Sequence, residues 1–240
     1  MDDVDDRADD RVDDRADVVL EIAQAEPEIW KRIFTKFVVA EYLMVPIALV
    51  MMWVCDLPNA DSITRQLLGK DPWSWGVAFG LLATIPMLLS IVLTAMVPWR
   101  PLVELRELVQ TKLAPFFRGM PSWALFLIAM GAGFGEEWLF RGFGVQGIDW
   151  LLPDAWSPEM VRWTAILIVA LVFGALHALT PMYFFLTFAM GIYFGYLVLL
   201  TDSLLPAVVA HGLYDYIALL YIMRLDKDHE SGMYVPLSVE

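Results

Sequence analysis

One cysteine, Cys55, stands in a chain of 240 residues, which excludes an intrachain disulfide and leaves the redox compartment unassigned. Charge is scarce as well. Asp, Glu, Lys and Arg make up only 19% of the chain while 59% is hydrophobic, for a mean hydropathy of +0.59. Soluble globules are usually ~45–50% apolar, so the composition excludes that class and points to a polytopic membrane protein. No stripe of Lys and Arg interleaved with aromatics occurs, which argues against nucleic acid as a partner. An HExxH helix is also missing, so the usual zinc-protease ligand spacing is absent.

The net charge of −13 comes largely from one place. Nine aspartates crowd into the first 17 residues, where a DDR-x tetrad repeats three times from Asp5 to Ala16. Such a segment cannot bury enough apolar surface to offset its ordering entropy. Residues 1–30 are therefore expected as an acidic, disordered tail, whose partner the sequence does not identify. Being acidic where a secretory signal needs a basic n-region, it does not read as a signal peptide.

Six apolar stretches follow, near 37–55, 73–97, 121–146, 163–180, 183–200 and 206–224. Each is long enough to cross ~30 Å of hydrocarbon at ~1.5 Å per residue. The runs are continuous and do not alternate, so they predict an all-α transmembrane bundle of about six spans, with the lipid bilayer as its solvent. Pro46 and Pro86 should bend the first two without ending them. Nine of ten tryptophans fall at or near the proposed span ends, as in an interfacial belt; Trp138 is the exception. Residues 31–120 thus hold two spans and an amphipathic segment at 99–120, in which Leu102, Leu105, Leu108, Val109 and Leu113 alternate with charges. Residues 121–224 hold the other four spans, and 225–240 form a polar tail. Basic residues favour the side carrying Lys31, Arg32, Lys36, Arg100, Arg106, Lys112, Arg118, Arg224 and Lys227, which places both termini in the cytoplasm.

Within this apolar frame, GAGFGEEWLFRGF at 131–143 is out of character. One charge near the bilayer centre costs roughly 2.5–3.5 kcal/mol on insertion scales, and this stretch has three. Glu137 and Arg141 are four residues apart on one helical face and can pair, which would lock helices together without any chemistry. Glu136 is turned about 100° away and has no local counter-charge. Two of the three histidines, His177 and His211, also fall in apolar spans, and Asp215 follows His211 by one helical turn. A lone histidine in such a helix is more often a packing residue. Two, on different helices of a chain that already buries Glu136, form a set that is expensive in lipid unless it lines a hydrated cavity. Glu41, about five residues into the first span, is expected to reach the nearby interface. Carboxylates and imidazoles of this kind suit water activation and oxyanion stabilisation in peptide hydrolysis, and equally a proton relay.

The motifs go further. EEWLFR fits Glu-Glu-x-x-x-Arg, Phe173 to His177 fits Phe-x-x-x-His, and His211 to Asp215 fits His-x-x-x-Asn/Asp. In this order on successive apolar segments they resemble the CPBP (CAAX protease and bacteriocin-processing, or Abi) family of intramembrane proteases, to which the Rce1-type prenyl proteases belong. The resemblance covers about residues 120–224 and implies a four-helix catalytic core there. It implies a hydrolase in which Glu136 and His177 activate water, and in which His211 and Asp215 form the oxyanion hole. Glu137 and Arg141 would hold the geometry and Phe173 would wall the cavity. The implied substrate is a membrane-associated peptide or protein, with nothing to indicate prenylation, and the expected location is the bacterial cell (inner) membrane.

Asp215 departs from the asparagine of the best-understood members. An ionised carboxylate would repel an oxyanion, so Asp215 must be protonated, bind a metal, or orient His211. No cofactor is firmly predicted. Glu136, Glu137, His177 and His211 could still make a nitrogen/oxygen site for zinc. A non-proteolytic scaffold or a proton-coupled transporter would use the same fold. Straight helices entering at 121 and 163 also leave His177 about 20 Å from the face nearest Glu136 and His211, so either glycines 131, 133, 135 and 174 allow a break or close tilted packing, or the span edges lie several residues away.

Overall fold

The computed structural model describes residues 10–57, 63–70 and 72–230. Among them every regular element is helical. In hydrocarbon the backbone must satisfy its own hydrogen bonds, and an apolar run of ~20 residues does so as a helix. In chain order the elements are α1 (Asp10–Val54), α2 (Ile63–Leu68), α3 (Trp73–Met96), α4 (Arg100–Leu108), a π-helical turn (Val109–Leu113), α5 (Ala114–Phe117), α6 (Ser122–Glu137), a second π-helical segment (Trp138–Val145), α7 (Gln146–Leu151), α8 (Pro158–Leu176), α9 (Pro181–Thr201) and α10 (Leu205–Glu230). Six stretches are long and apolar enough to cross a bilayer: Ile29–Val54, Trp73–Met96, Ser122–Leu151, Pro158–Leu176, Pro181–Thr201 and Leu205–Leu225. The chain is thus an integral membrane protein built as a helical bundle. Trp53, Trp73, Trp75, Trp99, Trp123 and Trp150, near the ends of these helices, are each more than half exposed, whereas Trp138 is buried against Ala48, Leu204 and Val208.

Three boundaries differ from the sequence reading. The fourth span runs from Pro158 to Leu176 in place of 163–180. Ser157 caps its start, its side chain accepting from the Met160 amide at 3.3 Å, with proline at the first helical position. Thr180 and Pro181 do the same for α9, Thr180 accepting from the Tyr183 amide at 3.1 Å. A residue before proline is pushed out of helical geometry, so α8 cannot continue to 180. The helix that carries the first span, α1, reaches back to Asp10, within the segment read above as disordered. Extending an existing helix needs no new nucleus. Residues 1–9 and 231–240 lie outside the described residues.

At the centre, α6 lies between α1 and α10 with backbones almost touching. A Cβ at Gly133 would come within 2.7 Å of the Val208 carbonyl oxygen on α10. On the other face, a Cβ at Gly131 would meet the Tyr42 ring at 2.7 Å, and one at Gly135 would overlap the Glu41 carbonyl. Small residues allow this approach, which in a membrane supplies the packing that the hydrophobic effect does not. The glycines therefore give close packing, and α6 stays helical through Glu137. Gly135→Val should push α1 away and cost about 1–3 kcal/mol by overpacking. Thermal unfolding in detergent should show a lowered midpoint. Gly147→Ala, whose new methyl would meet nothing closer than 3.8 Å, should leave it unchanged.

Candidate active site

Glu136 and Glu137 close α6, and the chain then widens into the π-helical segment that carries Arg141. Such segments are frequent at functional sites. Arg141 Nη1 donates to Glu137 Oε1 at 2.9 Å, and the two side chains are only 1% and 0% exposed. Arg141 Nη2 donates to the Gly191 carbonyl on α9 at 3.1 Å. The guanidinium also sits 4.7 Å from the Phe173 ring centre and 5.1 Å from that of Phe194. A buried ion pair holds only when such additional contacts replace lost hydration.

The same Glu137 oxygen accepts from His211 Nδ1 at 2.8 Å. The His211 ring stacks on Phe194 at 4.7 Å between centres. Those two contacts turn Nε2 toward Asp215 Oδ2, 3.4 Å away, and Glu136 Oε2, 3.9 Å away. His177 comes from the end of α8 as its capping residue, with φ −100° and ψ 9°. Its Nδ1 lies 2.8 Å from the Phe173 carbonyl oxygen. A carbonyl only accepts, so Nδ1 carries the proton and Nε2 faces Glu136 Oε1 at 3.9 Å. Phe173 packs against the His177 ring at 4.6 Å and also under Arg141.

The separation of His177 from Glu136 that straight spans implied is therefore absent. Because α8 stops at Leu176, the α8–α9 turn comes level with Glu136, roughly 21 Å along α6 from its start. Beyond that turn lies a cavity of about 410 Å³, walled mostly by apolar side chains of α3, α9 and α10 and bounded by the α4–α5 segment. Glu136, His177, His211 and Asp215 are among the residues that line it.

Glu41 belongs there too. The sequence reading had it reach the nearby interface, but its side chain turns inward beside α6. Its Oε2 is buried without a hydrogen-bond partner, and it lines the same cavity. The glycines at 131 and 135, which admit the α1 backbone, were the signal that α1 packs directly beside Glu136.

The arrangement does not suit a zinc ion. Glu137 Oε1 is shared between Arg141 and His211, and the two oxygens of Glu136 point to different imidazoles. Among the described residues no three His, Cys, Asp or Glu side chains converge as metal donors. Tetrahedral zinc would need ligands at ~2.0–2.2 Å around one point.

Residues 118–217 match the family model described as type II CAAX prenyl endopeptidase Rce1-like. That interval contains every site residue above except Glu41. No curated protein and no solved structure matches the chain.

Arg141→Met would remove the guanidinium paired with buried Glu137 and leave it only the His211 contact, a loss of about 3–5 kcal/mol for a pair of this kind. A clear fall in the thermal midpoint in detergent is expected. Arg141→Lys should recover only part of it, because it keeps the charge but lacks the planar two-nitrogen fork that reaches Glu137 and Gly191.

Proposed function

We propose that the chain, whose residues 118–217 match the type II CAAX prenyl endopeptidase Rce1-like model, is an intramembrane endopeptidase cutting a membrane-associated protein or peptide. The observation carrying the proposal is that Glu136 stands between two imidazoles delivered by other helices, each Nε2 3.9 Å from one of its oxygens. A separation of that size is spanned by one bridging water.

In the proposed reaction a water donates to Glu136 Oε1 and to His177 Nε2. Glu136 takes its proton as the water oxygen attacks the peptide carbonyl carbon, and the carbonyl π pair moves onto oxygen. His211, doubly protonated and with Nδ1–H held by Glu137, offers Nε2–H to that oxyanion. Glu136 then passes the proton to the amide nitrogen as the C–N bond breaks, leaving a new carboxyl and a new amine terminus. Asp215 orients His211 through the 3.4 Å contact. Glu137, Arg141 and Phe173 position the reacting groups. The basic bias of the sequence, with both termini in the cytoplasm, turns the α4–α5 end of the cavity toward the cytoplasmic face.

Purified protein in liposomes with candidate membrane peptides tests this directly. Glu136→Ala, His177→Ala and His211→Ala should each slow cleavage by at least about 100-fold. Asp215→Asn should keep most of the activity, since an amide can still orient the ring. Exhaustive chelation should leave the rate intact, because the donors do not converge on a point. Equal cleavage by the wild type and all three alanine variants would overturn the assigned roles.

A further inference from the structure

The proposed reaction leaves its oxyanion short of donors. The Nε2–H of His211 is shared with Asp215 Oδ2, 3.4 Å away. Asp215, read from the sequence as the second member of the oxyanion hole, orients His211 as an ionised carboxylate, and an ionised carboxylate only accepts. His177 has already committed its proton to the Phe173 carbonyl, 2.8 Å from Nδ1. One shared donor is a poor match for a negative charge developing on the carbonyl oxygen away from bulk water.

Tyr183, in the first turn of α9, has the donor that is missing. Thr180 accepts from its amide at 3.1 Å and Thr187 donates to its carbonyl at 2.8 Å, so both of its backbone groups are held. The ring meets that of His177 edge-on at 6.2 Å between centres, and it lines the cavity together with Glu136, His177, His211 and Asp215. Its hydroxyl lies within electrostatic reach of Asp215 and Glu136. Three other phenols of the spans are committed. Tyr42 donates to the Leu127 carbonyl and Tyr193 to that of Ala83. Ser90 gives its one proton to the Met87 carbonyl, so in the 3.1 Å contact between Ser90 and Tyr214 the phenol is the donor. Among the described residues the Tyr183 hydroxyl makes no hydrogen bond. A phenol, with an ordinary pKa of about 10, keeps its proton near neutral pH. The site thus holds a free O–H donor and a reaction that needs one.

We propose that Tyr183 is a further catalytic residue, its phenol O–H serving beside His211 Nε2–H as the second donor to the oxyanion, the role that Asp215 as a carboxylate cannot fill. The assignment rests on the endopeptidase reading. As water attacks and the carbonyl π pair moves onto oxygen, the phenol shares its proton with that oxygen and keeps it. The transferred proton still travels from the water through Glu136 to the amide nitrogen.

Tyr183→Phe removes only the hydroxyl and leaves the ring against His177. The thermal midpoint and KM should therefore hold while kcat falls by about 100-fold. Asp215→Asn returns an amide donor to the site, so adding Tyr183→Phe to that variant should cost less than about tenfold. A ring that merely packs would show no such rescue. Uncleavable probes read the same role without turnover. They are two N-terminally dansylated apolar hexapeptides whose central amide is replaced by a difluoroketone, which hydrates to a tetrahedral diol, or by a plain ketone, which stays planar. In phosphatidylcholine nanodiscs the wild type should hold the difluoroketone tighter by about 100-fold or more. Tyr183→Phe should cut that ratio by about tenfold and leave the affinity for the plain ketone unchanged. Full activity of Tyr183→Phe, or a loss equally large in the Asp215→Asn background, overturns the role. So does equal binding of the two probes by the wild type, or a ratio that Tyr183→Phe leaves unchanged. If the probes behave as predicted while the wild type cuts no peptide, the failure belongs to the endopeptidase reading alone.

Discussion

One carboxylate oxygen, Glu137 Oε1, ties together three helices. It accepts from Arg141 at 2.9 Å and from His211 of α10 at 2.8 Å, and Arg141 carries the link on to the Gly191 carbonyl of α9. In a bilayer no water competes for these groups, and the unmade alternative is a bare charge in hydrocarbon. The cluster therefore has little freedom to rearrange. Its effect on chemistry is indirect but definite: by engaging Nδ1 of His211, Glu137 decides which nitrogen faces the cavity. The adjacent Glu136 is left for a different task, with its two oxygens facing two imidazoles.

That division needs the helices to be close, and the packing supplies it. Gly131, Gly133 and Gly135 bring α1 and α10 against the segment of α6 that ends in the two glutamates. The short α8–α9 hairpin then sets His177 at the same level and leaves the cavity beyond its turn, with α4 and α5 along the other side.

Much of this was legible in the chain. Continuous apolar runs gave six spans because length and composition alone dictate a helix in lipid. The pairing of Glu137 with Arg141 followed from their spacing of four. Convergence of His177 and His211 on Glu136 was legible only through three motifs taken together, since periodicity says nothing about which helices meet. Of the two ways to bring His177 level with Glu136, the shifted span edge is the one found, and its signal was present: Ser157-Pro158 and Thr180-Pro181 are helix-start pairs, and they place the hairpin turn earlier. Glu41 was expected at the interface because its depth in the span says nothing of which helix it faces, and it is the close packing of α1 on α6 that turns it into the cavity.

The separation of roles between two neighbouring glutamates is the claim on which the rest turns. Glu136→Gln and Glu137→Gln differ by one position and by the same atoms, so comparing their cleavage rates and thermal midpoints in one lipid system isolates it. The account predicts that Glu136→Gln keeps the wild-type midpoint and loses cleavage, whereas Glu137→Gln lowers the midpoint markedly as Arg141 loses its partner. A Glu136→Gln protein that cleaves at the wild-type rate, or a Glu137→Gln protein as stable as the wild type, would contradict it.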